Sequence, residues 1–146
     1  AIANEKGRVG PAGRVVPADL AHMEPIPGVR FIQGDLRDPS MPARLKDALD
    51  GQTADLVLSD MAPNLSGVAA ADEARAQELI ETAVDLSPVL LQPEGALLVK
   101  MFHGSGLEVV IQRMRSSFSS VEMRKPAASR SRSSEVYALC RGPMRR

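Results

Sequence analysis

The sequence predicts an α/β protein built from parallel βαβ units, and three observations carry that expectation. Short, continuous apolar runs recur along the chain, separated by segments of helical periodicity. A long amphipathic segment joins two of these runs, as a parallel crossover requires. Acids or a lysine stand at or near the carboxyl ends of the runs, the edge where open parallel sheets place their ligands.

In chain order, Gly13-Arg14-Val15-Val16-Pro17-Ala18-Asp19-Leu20 reads as the first strand, weakened by Pro17, which has no N–H for a ladder. Gly28 to Leu36, GVRFIQGDL, reads as the second and carries Asp35 at its end. Met41 to Leu49 predicts a short helix and Ala54 to Ser59 a third strand, followed at once by Asp60 and the turn residues Ala62-Pro63-Asn64. The longest helix is expected from Asp72 to Leu91. Leu79, Ala83, Leu86 and Leu90 form its apolar stripe, with Glu73, Gln77, Glu81 and Asp85 on other faces. Pro93-Glu94-Gly95 should stop that helix and open a fourth strand, Gly95 to Phe102. Leu107, Val110 or Ile111, Met114 and Phe118 mark another amphipathic helix. Val121 to Arg124 and Glu135 to Arg141 should close the fold as an antiparallel pair.

A chain of 146 residues accommodates one domain, 1–146. Its hydrophobic content of 44% and charged content of 25% are those of a soluble globular protein. Aromatics at 3%, with no Trp, argue against an aromatic platform for stacking bases. The single cysteine, Cys140, rules out an internal disulfide, fits a reducing compartment and is expected in the core. No run is long and apolar enough for a membrane span, and the start AIANEKGRVG is too polar for a secretory signal, so a cytoplasmic address is expected. The net charge is zero but uneven: from Arg113 onward nine bases face two acids, Glu122 and Glu135. A basic final third suits a polyanionic partner.

Asp19 is either a carboxylate for the ribose hydroxyls of a nucleoside cofactor or a plain loop acid. Asp35 either accepts from an adenine amino group or pairs with Arg37 at the surface. Lys100 is the unusual residue. Set within ALLVKMFHG, its ammonium must be paired or lose its proton, unless it snorkels to the sheet edge. Glu135, opening SSEVYALC, is either its partner or an exposed edge acid. His22 and His103 have no cysteine or acid at metal-ligand spacing, so no metal is expected.

Three segments carry a family pattern: SDMAPNLSG, LLVKMFHGSG and KPAASRSRSSEVY. Together they resemble the bacterial FtsJ-type (RlmE/RrmJ) 23S ribosomal RNA ribose 2′-O-methyltransferases, from about Lys6 to the C-terminus. The resemblance implies a Rossmann-like methyltransferase sheet that transfers methyl from S-adenosyl-L-methionine to a uridine ribose. The implied partners are 23S rRNA and the large ribosomal subunit, with no membrane and no metal, for a monomer. Of the family's Lys-Asp-Lys-Glu tetrad, the last three members match Asp60, Lys100 and Glu135. Asp19, Asp35 and Asp60 match the cofactor acids for the ribose, the adenine and the methionyl end. Lys100 matches the residue assigned as proton acceptor, although it could instead orient the hydroxyl. Arg124, Lys125, Arg130 and Arg132 flank the Glu135 strand and could hold rRNA phosphates.

Two family elements have no match: the glycine-rich loop after the first strand and the first tetrad lysine. Lys6 does not replace that lysine, nor Gly104-Ser105-Gly106 the loop. The expectation is therefore an N-terminally truncated domain with little methyl transfer and weak cofactor binding. The missing strand would leave a gap between the first and third predicted strands, or force them to pair directly. The alternative function is a non-catalytic RNA- or ribosome-binding module. A nicotinamide-dependent oxidoreductase is disfavoured by the lack of Gly-x-Gly-x-x-Gly.

Overall fold

The computed structural model describes residues 8–61, 65–104, 106–125 and 135–145. They fall into two compact units, Ala1–Thr53 and Ala54–Arg146. The first holds strands β1 (Ala18–Asp19) and β2 (Ile32–Gln33) and helix α1 (Met41–Ala48). β1 and β2 are parallel, with Ala18 opposite Ile32 and Asp19 opposite Gln33.

Both strands are much shorter than Gly13–Leu20 and Gly28–Leu36. Pro17 has no N–H to give, so only its carbonyl joins the pairing, accepting from Ile32 N–H at 2.9 Å. Gly28, at φ 74°, turns the chain ahead of β2, and Asp35 lies in the turn beyond it. The parallel register brings Asp19 and the segment after Gln33 to the same edge, where Gly34 N–H donates to the Asp19 carbonyl at 2.9 Å. α1 buries Met41, Leu45 and Ala48, close to the expected helix.

The second unit is a four-stranded sheet of β3 (Ala54–Ser59), β4 (Leu91–Phe102), β5 (Phe118–Arg124) and β6 (Glu135–Pro143), in the order β3-β4-β6-β5. β3 and β4 are parallel and joined by α2 (Ala69–Leu90), the expected βαβ unit. α3 (Leu107–Ser117) links β4 to β5, and β6 runs antiparallel between β4 and β5. Alternation sends Leu97, Val99 and Met101 of β4 and Val136, Ala138 and Cys140 of β6 to one face. There they form a core with Val84, Val110, Ile111, Met114 and Phe118. Burial pushes the Cys140 thiol up to about 12, so it is an inert core group.

Three details depart from the sequence expectation. The buried line of α2 keeps Ala83 and Leu90 of the expected stripe, but Val84 and Ser87 are buried where Leu79 and Leu86 are only half-buried. Ser87 is tolerated there because its hydroxyl donates to the Ala83 carbonyl at 2.6 Å. The helix passes directly into β4 at Leu91, ahead of Pro93-Glu94-Gly95. Phe118 is buried as expected, but as the first residue of β5 rather than the end of α3. The strands predicted to flank a missing neighbour, β1 and β3, belong to separate sheets. β3 is an edge strand, with Leu56 and Leu58 about half exposed. The expected turn at Ala62-Pro63-Asn64 lies outside the described residues, as does the Ser/Arg run with Arg130 and Arg132.

Candidate active site

The site is built where β3 and β4 reach their carboxyl ends. Ser59 pairs with Val99, so the next residue along, Asp60, comes level with Lys100. On the other side of β4, the antiparallel register sets Tyr137 opposite Lys100 and Glu135 opposite Phe102. Lys100 stands between buried Val99 and Met101, so strand alternation turns it to the face opposite the core.

There Lys100 Nζ lies 2.5 Å from Asp60 Oδ1 and 3.7 Å from Glu135 Oε1. Its ring contact is Phe102, with Nζ 5.9 Å from the centroid. Lys100 keeps 18% of its side chain exposed, against 68% for Asp60 and 38% for Glu135, so the ammonium is the most enclosed of the three. The hydrogen bond to Asp60 holds the Lys100 pKa above its ordinary value. Burial pulls it down, while the charges of Asp60, Glu135 and Tyr137 push it up. Lys100 is therefore an ammonium at neutral pH, and pairing prevails over burial. The two open readings from sequence resolve alike: Lys100 is paired, and Glu135 is one of its partners.

The return from Asp60 into α2 is held by Asp72. Its Oδ1 accepts from the Ser66 N–H and hydroxyl at 2.8 Å each, and Oδ2 accepts from Gly67 N–H at 3.3 Å. These bonds, the Ser66 N–H first, lower the Asp72 pKa. Asp72 is a supporting residue that sequence reading assigned only to the start of the helix. After β4 the chain turns through Gly106 at φ 87°, where a Cβ would strike the Gln77 side chain.

The other two predicted acids lie in the first unit. Asp19 ends β1, and its exposed carboxylate accepts from Ala21 N–H at 3.1 Å. Asp35 is gripped by Arg37, whose Nη2 lies 2.7 Å from Oδ2 and whose N–H donates to Oδ1 at 2.9 Å. That side-chain bond leads the effects that lower Asp35 to about 2. The pairing with Arg37, one of its two sequence readings, is formed. Arg124 is paired with Glu122 at 2.7 Å and sits opposite Tyr137 on β5. Among the described residues no group of three His, Cys, Asp or Glu side chains gathers as a metal site, and no helix is long and apolar enough to cross a membrane.

A parallel βαβ unit with polar groups at the strand ends, extended by an antiparallel strand, is the architecture of Rossmann-like methyltransferases. The N-methyltransferase NodS from Bradyrhizobium japonicum, solved with S-adenosyl-L-homocysteine, superposes at TM-score 0.56 and 14% identity. The match covers 90% of this chain and 67% of that one and shows the fold alone. A ribosomal RNA methyltransferase from Plasmodium falciparum superposes at TM-score 0.76 and 27% identity, over 91% of this chain and 74% of that one. The FtsJ-like methyltransferase family matches residues 2–143, and the chain belongs to that family. Ribosomal RNA large subunit methyltransferase E of Methylobacillus flagellatus is 50% identical over 132 residues, 90% of this chain and 64% of that protein. Its counterpart in Bordetella petrii is 50% identical over 129 residues, 88% of this chain and 61% of that protein. The chain thus spans less than two thirds of the length of these relatives.

Proposed function

We propose that this chain carries the catalytic face of an S-adenosyl-L-methionine-dependent methyltransferase acting on the 2′-hydroxyl of a uridine ribose in 23S rRNA. The observation that carries the reading is the Asp60–Lys100–Glu135 cluster at the carboxyl ends of the strands. The similarity to the large subunit rRNA methyltransferases supports the RNA substrate.

Each unit taken by itself carries acids that the family resemblance assigns to the cofactor. Asp19 and Asp35 stand at one edge of a parallel strand pair, and a carboxylate has about four acceptor positions. The bond from Ala21 leaves Asp19 capacity for ribose hydroxyls, whereas Asp35 already accepts four bonds from Arg37 and would have to exchange part of that pairing to meet an adenine amino group. Asp60 would serve the methionyl end. When bound, the cofactor supplies an electrophilic sulfonium methyl. The chain's own task is then to orient a hydroxyl oxygen and remove its proton.

The pKa direction at Lys100 favours orientation over direct proton abstraction. A protonated Nζ donates to the incoming hydroxyl oxygen and holds a lone pair free for attack, while Asp60 and Glu135 fix the ammonium in place. With the cofactor bound, the carbon–oxygen bond would form as the methyl's bond to sulfur breaks, with the electron pair left on sulfur, and the hydroxyl proton would depart late to a neighbouring carboxylate or water. Were Lys100 the base, it would first have to give up the proton that Asp60 stabilises. Arg124 and Lys125 border the same end of the sheet and can hold phosphates.

Lys100→Arg separates the two roles, because a guanidinium donates but does not deprotonate near neutral pH. In the full-length protein, measurable methyl transfer by the arginine variant supports the orienting role. Loss as complete as in Lys100→Ala, with cofactor binding intact, supports the base.

A further inference from the structure

Phe102 is the one aromatic among the large apolar side chains that are exposed in the described residues, at 42%. Phe118, by contrast, is buried in the core. An exposed leucine needs no explanation, but this ring is placed specifically. It lies two residues beyond Lys100 on β4, hence on the same face, opposite Glu135 and at the carboxyl end of the sheet. Lys100 Nζ is 5.9 Å from its centroid.

We propose that Phe102 is the stacking surface for the base of the target nucleotide, a positioning residue that sets the ribose against Lys100. The inference rests on the ribose-methylation reading. In a nucleotide, the carbon bearing the 2′-hydroxyl is bonded to the carbon bearing the base. A hydroxyl presented to Nζ therefore brings its base within reach of a ring so close to that nitrogen. Stacking is tolerant of base identity, and it needs the flat π face rather than apolar bulk. The scarcity of aromatics that argued against a multi-base platform does not count against this role, since one ring suffices for one nucleotide.

The chain has no tryptophan, so Phe102→Trp installs a unique fluorophore at the ring position. The 146-residue variant is titrated with a short fluorescein-labelled oligouridine RNA, following label anisotropy and tryptophan emission together. Stacking predicts quenching that saturates along the anisotropy curve. It also predicts that Phe102→Leu, similar in bulk but lacking a π face, binds the RNA roughly tenfold more weakly, while Phe102→Tyr binds as the parent does. Circular dichroism checks that each variant is folded. RNA binding with unchanged tryptophan emission, or equal affinity in the leucine variant, overturns the stacking role and leaves the RNA reading standing. No RNA binding by the parent chain overturns both.

Discussion

At the residue scale the site turns on one buried-edge lysine and the acids that keep it charged. Lys100→Ala removes the group proposed to orient the hydroxyl, and a fall in turnover of roughly 100- to 10,000-fold is expected in the full-length protein. Calorimetric titration should show cofactor affinity nearly unchanged. Asp60→Asn removes the leading cause of the raised Lys100 pKa, so Nζ should titrate lower by NMR. A raised folded pKa contributes stability below the ordinary lysine value and loses it as pH rises through the folded one. The asparagine variant should therefore lose alkaline stability earlier. Asp35 behaves in the opposite sense. With its carboxyl held at about 2 by Arg37, its contribution is present above the ordinary carboxylate value and is lost as pH falls toward 2. Arg37→Ala should return the Asp35 midpoint to the ordinary range. Lys100 was legible in sequence because an ammonium inside an apolar strand demands a partner. Asp72 was not, because its role depends on where the preceding loop returns, which no local spacing encodes.

At the element scale, the clearest sequence signals were those with strong periodicity and clean borders. β3 occupies Ala54–Ser59 as expected, between the Asp50-Gly51 turn and Asp60. The first two strands shrank because extended backbone is a strand only where a neighbour supplies a ladder, and Pro17 and Gly28 limit that pairing. The buried line of α2 has a similar origin. Periodicity found Ala83 and Leu90, but packing onto the sheet also selected Val84 and a serine able to satisfy its own hydroxyl. Ahead of α3, Gly106 takes a left-handed conformation with the flexible end of the Gln77 side chain beside it. Gly106→Ala should cost about 1–2 kcal/mol of stability from the left-handed conformation, since the Gln77 side chain can move aside. Chemical denaturation measures this, and a change below the resolution of that experiment would contradict the geometry.

For the whole molecule, the described strands divide into a two-residue parallel pair and a four-stranded sheet with a continuous core. A two-stranded pair is marginal by itself, whereas β4 and β6 are paired on both sides. Amide hydrogen exchange should therefore be slowest at Leu97–Val99 and Ala138–Cys140 and much faster at Ile32–Gln33. The α/β class, the βαβ unit and the antiparallel closure were all legible in the alternation of apolar runs. The separation into two sheets was posed in the sequence only as one of two alternatives. Ribose methylation leaves its own chemical signature in the product. The full-length protein is incubated with methyl-labelled S-adenosyl-L-methionine and unmodified 23S rRNA, and the RNA is then hydrolysed in alkali. A methylated 2′-oxygen cannot attack the adjacent phosphate, so ribose methylation gives label in an alkali-resistant dinucleotide beginning with uridine, at least about 100-fold slower to appear with Lys100→Ala. Label recovered in ordinary mononucleotides would place the methyl on a base and contradict it.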